Sequence, residues 1–212
     1  MKRIFATNLS FAAIAFTLLS PQFVHARAMD DLKIPTSGAS AMEPQEKAQL
    51  MVTAQATLTQ TLDTKKAQPG QQLRVTLSKT VRLKDGTELP RGTQLIGTVV
   101  SSPANANSTS TLELRFTQAE LKGGKVLPIK ATIVGIYAPV NEGAEGIAGS
   151  QVPNTWNSQI LEINQTEPLI GVELHSKIAS ENSGTLVSTT KSAVKLPAGS
   201  KITLAIAVEK SS

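Results

Sequence analysis

The sequence predicts an all-β protein: a single antiparallel β-barrel or sandwich behind a cleavable N-terminal signal peptide. Three observations carry this. Apolar residues alternate at period two in one segment after another from Val52 onward. Turn-forming residues separate those segments at short intervals. One turn signature, Leu-Pro-x-Gly-Thr/Ser, occurs at 89–93 and again at 196–200, each time just before a strand pattern.

The start of the chain sets the compartment. Lys2 and Arg3 precede an apolar run over 9–19, Pro21 ends any helix there, and Val24-His25-Ala26 or Ala26-Arg27-Ala28 offers small residues for cleavage. This reads as a signal peptide over 1–26. A retained anchor is the rival, but the run is short for a span of about 20 residues. The expected location is therefore periplasmic or extracellular, with no membrane span after cleavage. There are no cysteines, so no disulfide staples the exported chain and its core must hold it. The formal charge is +5, and removing Lys2 and Arg3 lowers it by two. So mild an excess, with aromatic residues only 3% of the chain, lacks the basic patch or stacking platform of a nucleic-acid binder.

Residues 27–50 read as a polar lead-in with Pro35, Gly38 and Pro44, and the β domain follows over 51–212. Over 43–55 the pattern suits a short helix, with Pro44 in its first turn, or a coil that passes into a strand near Val52; the rival reading is an early strand, since Val52, Ala54, Ala56 and Leu58 alternate with polar residues. Pro69-Gly70 suits the centre of a type II turn. From Leu73 to Leu83 the odd-numbered residues are apolar except Lys79, which predicts one strand. Asp85-Gly86 supplies the positive φ of a hairpin. Leu95 opens the next strand. Leu112, Leu114 and Phe116 then face inward, but Ala119 and Leu121 continue in the opposite phase, which predicts a bulge at Thr117 or Gln118. Lys122-Gly123-Gly124-Lys125 is a second hairpin turn, followed by alternation through Leu127, Ile129, Ala131, Ile133, Gly135 and Tyr137. Ile170, Val172 and Leu174 mark a further strand, and Ile202, Leu204, Ile206 and Val208 the last. Val134, Ile136, Ala205 and Ala207 fill the opposite faces of two strands, so both are expected to be covered on each side. The Gly- and Pro-bearing stretch 138–159 is a long loop. In the repeated signature, proline is expected at position i+1 of a type I turn and glycine at i+3, forming a barrel corner.

Chemistry is sparse. His175 is the one histidine left after cleavage, on the same strand face as Glu173, where a solvated or hydrogen-bonded residue is expected. One histidine without cysteine builds no usual zinc site, and no Gly-x-Ser-x-Gly elbow accompanies it. Glu113, Glu120, Glu162, Glu167 and Glu173 could in principle pair as glycosidase carboxylates, but their spacing forms no motif. The reading is non-enzymatic, with no catalytic residues, metal or cofactor. Trp156 and Tyr137 are the candidate ligand- or partner-contact residues, Trp156 because a half-exposed indole can anchor a partner. Its commoner role is to plug a barrel end beneath its own loop.

The order of several motifs resembles a known family: Asp85-Gly86, then Leu89-Pro90-Arg91-Gly92-Thr93-Gln94-Leu95-Ile96-Gly97, then Leu112-Glu113-Leu114-Arg115-Phe116, then Gly123-Gly124-Lys125-Val126-Leu127-Pro128-Ile129, then Gly143-Ala144-Glu145-Gly146-Ile147-Ala148-Gly149. They resemble the β-barrel domain of the conjugation and type IV secretion core-complex scaffold, a subunit bridging two bacterial membranes. Members of that family keep an uncleaved membrane helix, a proline-rich periplasmic stretch and a helical hairpin entering the outer membrane. Here the start reads as cleavable and the lead-in is short. The resemblance implies a barrel scaffold in the envelope, with other envelope proteins as partners, rather than a pore. The alternative is a soluble glycan- or ligand-binding module using the loop around Trp156. Oligomeric state is not encoded in these patterns.

Overall fold

The computed structural model describes residues 42–102, 109–139, 156–190 and 192–209. The predicted signal peptide 1–26 and most of the lead-in lie outside them. Helix α1, Pro44–Leu50, has proline at its start and ends at Met51, whose backbone is extended; Ala48 and Met51 are buried. Among the described residues, strands follow in this order: β1 Val52–Leu58, β2 Leu62–Asp63, β3 Gln72–Leu77, β4 Val81–Arg82, β5 Glu88–Leu89, β6 Gln94–Ser101, β7 Thr111–Glu120, β8 Val126–Tyr137, β9 Glu162–Leu169, β10 Val172–Lys177, β11 Gly184–Ser188, β12 Lys195–Leu196 and β13 Lys201–Val208.

Six strands close on themselves. The order β6-β3-β1-β13-β8-β7 is completed by pairing of β7 with β6, every pair antiparallel. The barrel alternative is therefore the correct one, and closure leaves these six without a free edge. The interior is filled by side chains: Leu58, Leu73, Leu77, Leu95, Leu112, Leu114, Phe116, Ile129, Ile133 and Ile136 are each less than 2% exposed. Burial of each contributes about 1.5–3 kcal/mol. Gly97 in β6 lies opposite Phe116, and a Cβ there would stand 2.7 Å from the ring and 2.8 Å from the Arg115 carbonyl. Glycine lets the aromatic ring lie directly on the neighbouring strand.

The repeated corner is two copies of one hydrogen-bond pattern. Gly92 N–H donates to Leu77 O (3.0 Å) and Leu77 N–H to Thr93 O (2.9 Å); Gly199 N–H donates to Leu58 O (2.8 Å) and Leu58 N–H to Ser200 O (2.9 Å). Arg91 N–H donates to Thr80 Oγ1, as Ala198 N–H does to Thr61 Oγ1, both at 3.1 Å. Leu83 N–H to Thr87 O matches Thr64 N–H to Val194 O, and Thr59 N–H to Arg74 O matches Ser78 N–H to Gln55 O. With β1 and β3 paired antiparallel through Thr57↔Thr76, the two halves are related by a pseudo-twofold axis at that pair. The expected turn type needs correction. Thr93 N–H bonds to Pro90 O and Ser200 N–H to Pro197 O, so proline is residue i and glycine i+2, with φ of 87° and 84°. Positive φ at i+2 is type II geometry, and glycine is there because side-chain-bearing residues resist it. Pro69-Gly70 does occupy the centre of a type II turn, with Gln71 N–H on Gln68 O and Gly70 at φ 83°.

Other expectations shift in detail. The run from Leu73 to Leu83 is two strands, because the chain bends at Ser78 and Lys79; the lone polar intruder marks the corner. At Asp85-Gly86 only the glycine takes positive φ (89°), while the Asp85 carboxylate accepts from Thr87 N–H (3.0 Å) and its hydroxyl (2.8 Å). The bulge in β7 falls where the phase slip puts it: Phe116 opposes Gly97 and Gln118 opposes Ile96, leaving Thr117 extra. A second bulge was not foreseen. Leu204 opposes Ile133 and Thr203 opposes Gly135, so Val134 is extra and the phase of β8 reverses. Ile136, opposite buried Ile202, takes the inward place that alternation assigned to Tyr137. Ile170 is no strand residue. It is fully exposed at the β9–β10 tip beside Gly171, whose φ is 69°.

Strands β11, β10 and β9 extend from β7 as a three-stranded flap. Its junction with the barrel is made by Ser183. Strands β7 and β8 pair only over 118–120 and 126–128, then part. Ser183 N–H donates to Leu114 O (2.7 Å), its Oγ accepts from Phe116 N–H (2.8 Å), and its carbonyl accepts from Ile133 N–H. One residue thus satisfies both parted strands. At the far side, the Gln165 amide of β9 accepts from Ile136 N–H (2.9 Å) and donates to Ile136 O (3.0 Å), as a backbone rung would.

Candidate functional site

The two aromatic candidates are held by different neighbours. Tyr137 ends β8 opposite Lys201, half-buried, with its ring over Gly135, where a Cβ would meet the ring at 3.0 Å. Burial raises its phenol above the ordinary value of 10.0, because the charged form is poorly solvated there. Trp156 is half-buried and packs against the core. Its Nε1–H donates to Ile160 O (2.8 Å), and its own carbonyl accepts from Thr53 Oγ1 (3.2 Å) on β1. Gln45 of α1 donates to Ser158 O (2.7 Å). Segment 156–160 is thereby tied to the helix and to the barrel wall, with the one polar group of the indole satisfied inside its own turn. The rest of the predicted loop, 140–155, including the glycines of 143–149, lies outside the described residues.

The outer face of the flap is polar and ordered by pairing across strands. His175 Nδ1 lies 2.7 Å from Asn164 Oδ1 and its Nε2 3.2 Å from Glu173 Oε2, a hydrogen-bonded strand residue as expected. Lys177 pairs with Glu162 at 2.9 Å. His175, Asn164, Lys177 and Glu162, with Asn182 and Thr185, border a shallow depression of about 220 Å³. The glutamates considered as an acid pair have separate partners. Glu120 pairs with Arg74 (2.9 Å), Glu113 accepts from Asn182 (3.1 Å), Glu162 serves Lys177 and Glu173 serves His175, while Glu167 sits in an irregular part of β9 at φ 47°. Among the described residues, no group of three or more His, Asp or Glu side chains is placed to hold a metal, and no helix is long and apolar enough to cross a membrane.

Ser183, Gln165 and the β7–β8 opening are the features that sequence reasoning missed. A single serine or glutamine carries no periodic signal, and the opening depends on where two strands part. Arg115 did carry a weak cue, as a cation alternating with inward residues of β7, but alternation alone assigns such a residue to solvent. Among known proteins, no family model matches the chain, and no curated protein matches it.

Proposed function

We propose that this protein is an exported, non-enzymatic β-barrel that acts by contact, as a scaffold or assembly component of a bacterial envelope. The observation that carries the reading is the filled interior. A six-stranded barrel packed with leucine, isoleucine and phenylalanine leaves no lumen to hold a substrate, so recognition falls to its outer surfaces. The resembling motifs support it by their positions. Asp85-Gly86 forms the tip between β4 and β5, 89–97 the corner and first half of β6, 112–116 lies in β7, and 123–129 makes the hairpin into β8.

Affinity capture from envelope extract of the encoding bacterium tests the reading, with the full chain carrying a C-terminal tag. Co-purification of a defined envelope protein, with the chain cleaved near residue 26, is the expected result. Retention of the chain uncleaved in the cytoplasm overturns the export reading. The half-exposed ring of Trp156 favours a second reading, a glycan- or ligand-binding module. That reading expects retention on purified peptidoglycan or polysaccharide and its loss in Trp156→Ala; unchanged binding in that variant removes it.

A further inference from the structure

The opening between β7 and β8 leaves a groove of about 320 Å³ beside the Ser183 bridge, at the small end of the range for ligand sites. Phe116 and Ser183 border it, and four charged residues line it: Arg115, Lys130, Glu181 and Glu209. The Arg115 Nε atom is buried and has no hydrogen-bond partner. Its Nη2 reaches Glu181 Oε2 at 3.5 Å, but that glutamate side chain is 94% exposed, so the pair is solvent-screened and easily displaced. The Lys130 ammonium has no ion pair or side-chain hydrogen bond among the described residues.

We propose that this groove binds a carboxylate carried on a body of amino-acid or short-peptide size, with Arg115 and Lys130 as its cations. The Arg115 side chain is 37% exposed and its terminal nitrogens are held only by the screened Glu181 pair, and a carboxylate is the group whose two oxygens fit the paired donors of a guanidinium. Lys130, from the opposite wall, adds a point charge. Glu181 and Glu209 set the selectivity: they repel a phosphate dianion, whereas one carboxylate needs only the two cations. The inference stands independently of export or scaffolding, because it uses only the groove.

The test is titration of the purified full chain, reading the Arg115 Nε–H resonance in a nitrogen–proton correlation spectrum. The probes are acetate, N-acetylglycine, its neutral amide, and inorganic phosphate. The expected result is a saturable shift with both carboxylates and none with the amide. N-acetylglycine is expected to bind more tightly than acetate, and equal affinities overturn the assignment of a body of amino-acid size. Lys130→Gln, which removes one of the two cations, should weaken binding about tenfold. Glu181→Gln, which removes the competing carboxylate, should strengthen it. The proposal is overturned if no probe saturates at tens of millimolar, if the amide or phosphate shifts the resonance as acetate does, or if Lys130→Gln binds unchanged while remaining folded.

Discussion

The barrel wall and the flap belong to one sheet but are joined to their neighbours differently. Each of the six wall strands has neighbours on both sides and presents its apolar side chains to one packed interior. The flap meets the wall through β11, in a ladder running only from Gly184↔Leu114 to Val187↔Thr111, and at its far side through Gln165. Its last strand, β9, has a ladder partner on one side only and is bulged: Leu169 opposes Val172 and Gln165 opposes Leu174, so Thr166, Glu167 and Pro168 face a single residue. A bulge with proline at an open edge discourages another strand from joining there. Val172, Leu174, Ile178 and Leu186 bury the inner face of the flap in the same core, so the difference lies in its attachment: one short ladder and a few polar bonds, against neighbours on both sides for every wall strand. Local opening should therefore begin in the flap, beside the Arg115 groove.

The largest expected effect is on the wall. Gly97→Ala drives a methyl into the Phe116 ring and the Arg115 carbonyl, and should cost about 2–4 kcal/mol in denaturant unfolding, with the whole chain losing stability together. A loss under about 1 kcal/mol would mean that the ring can move aside and the wall is not tightly packed. Next is the junction. Ser183→Ala removes the acceptor of the buried Phe116 N–H and should cost about 1–3 kcal/mol. Hydrogen exchange should quicken in β11 and the first half of β7 more than in β1 or β13. Uniform quickening would erase the distinction between flap and wall.

Gln165→Leu should be milder and more local. It keeps bulk but leaves Ile136 N–H and C=O without their partner, at about 1–2 kcal/mol. The Ile136 amide and the β9 amides should exchange faster, with a smaller change in the unfolding midpoint than Ser183→Ala gives. Smaller again, Gly92→Ala and Gly199→Ala force a methyl-bearing residue to φ near +85° and should each cost about 1 kcal/mol. Near-equal values would confirm that the two corners are one device used twice. A clear difference would show that closure by the local hairpin of β4 and β5 and closure by the distant pair β2 and β12 are not equivalent.

The same division explains what could be read from the sequence. Wall strands alternate because one face meets the core, so Leu112-Glu113-Leu114-Arg115-Phe116 declared both its strand and, by the slip to Ala119, its bulge. The bulge at Val134 was hidden, because Ile133-Val134-Gly135-Ile136 is apolar on both faces and a phase reversal leaves no polar mark. Strand β9, Glu162–Leu169, hid for the opposite reason: only Ile163 and Leu169 are apolar, too far apart to show a period, and it contains proline. Strands β2 and β12 are too short for any period and pair across most of the chain. The Arg115 groove was equally hidden, since two outward cations on neighbouring strands look like solvated faces until the strands part.

The smallest effect concerns Tyr137, at the end of β8 that pairs with Lys201 of β13 and so belongs to the wall. Burial raises its phenol above 10.0, so the folded state keeps the proton at pH values where the unfolded chain has lost it. The stability tied to the neutral phenol is intact below pH 10.0 and is lost as pH rises from there through the folded value. Unfolding measured across that window should show a downward slope in the native chain that is shallower in Tyr137→Phe. Because the residue sits in the wall, the loss should appear in global unfolding. If alkaline pH instead speeds exchange in β9–β11 while leaving the unfolding midpoint unchanged, Tyr137 acts on the flap, and the end of β8 would have to be counted among its attachments.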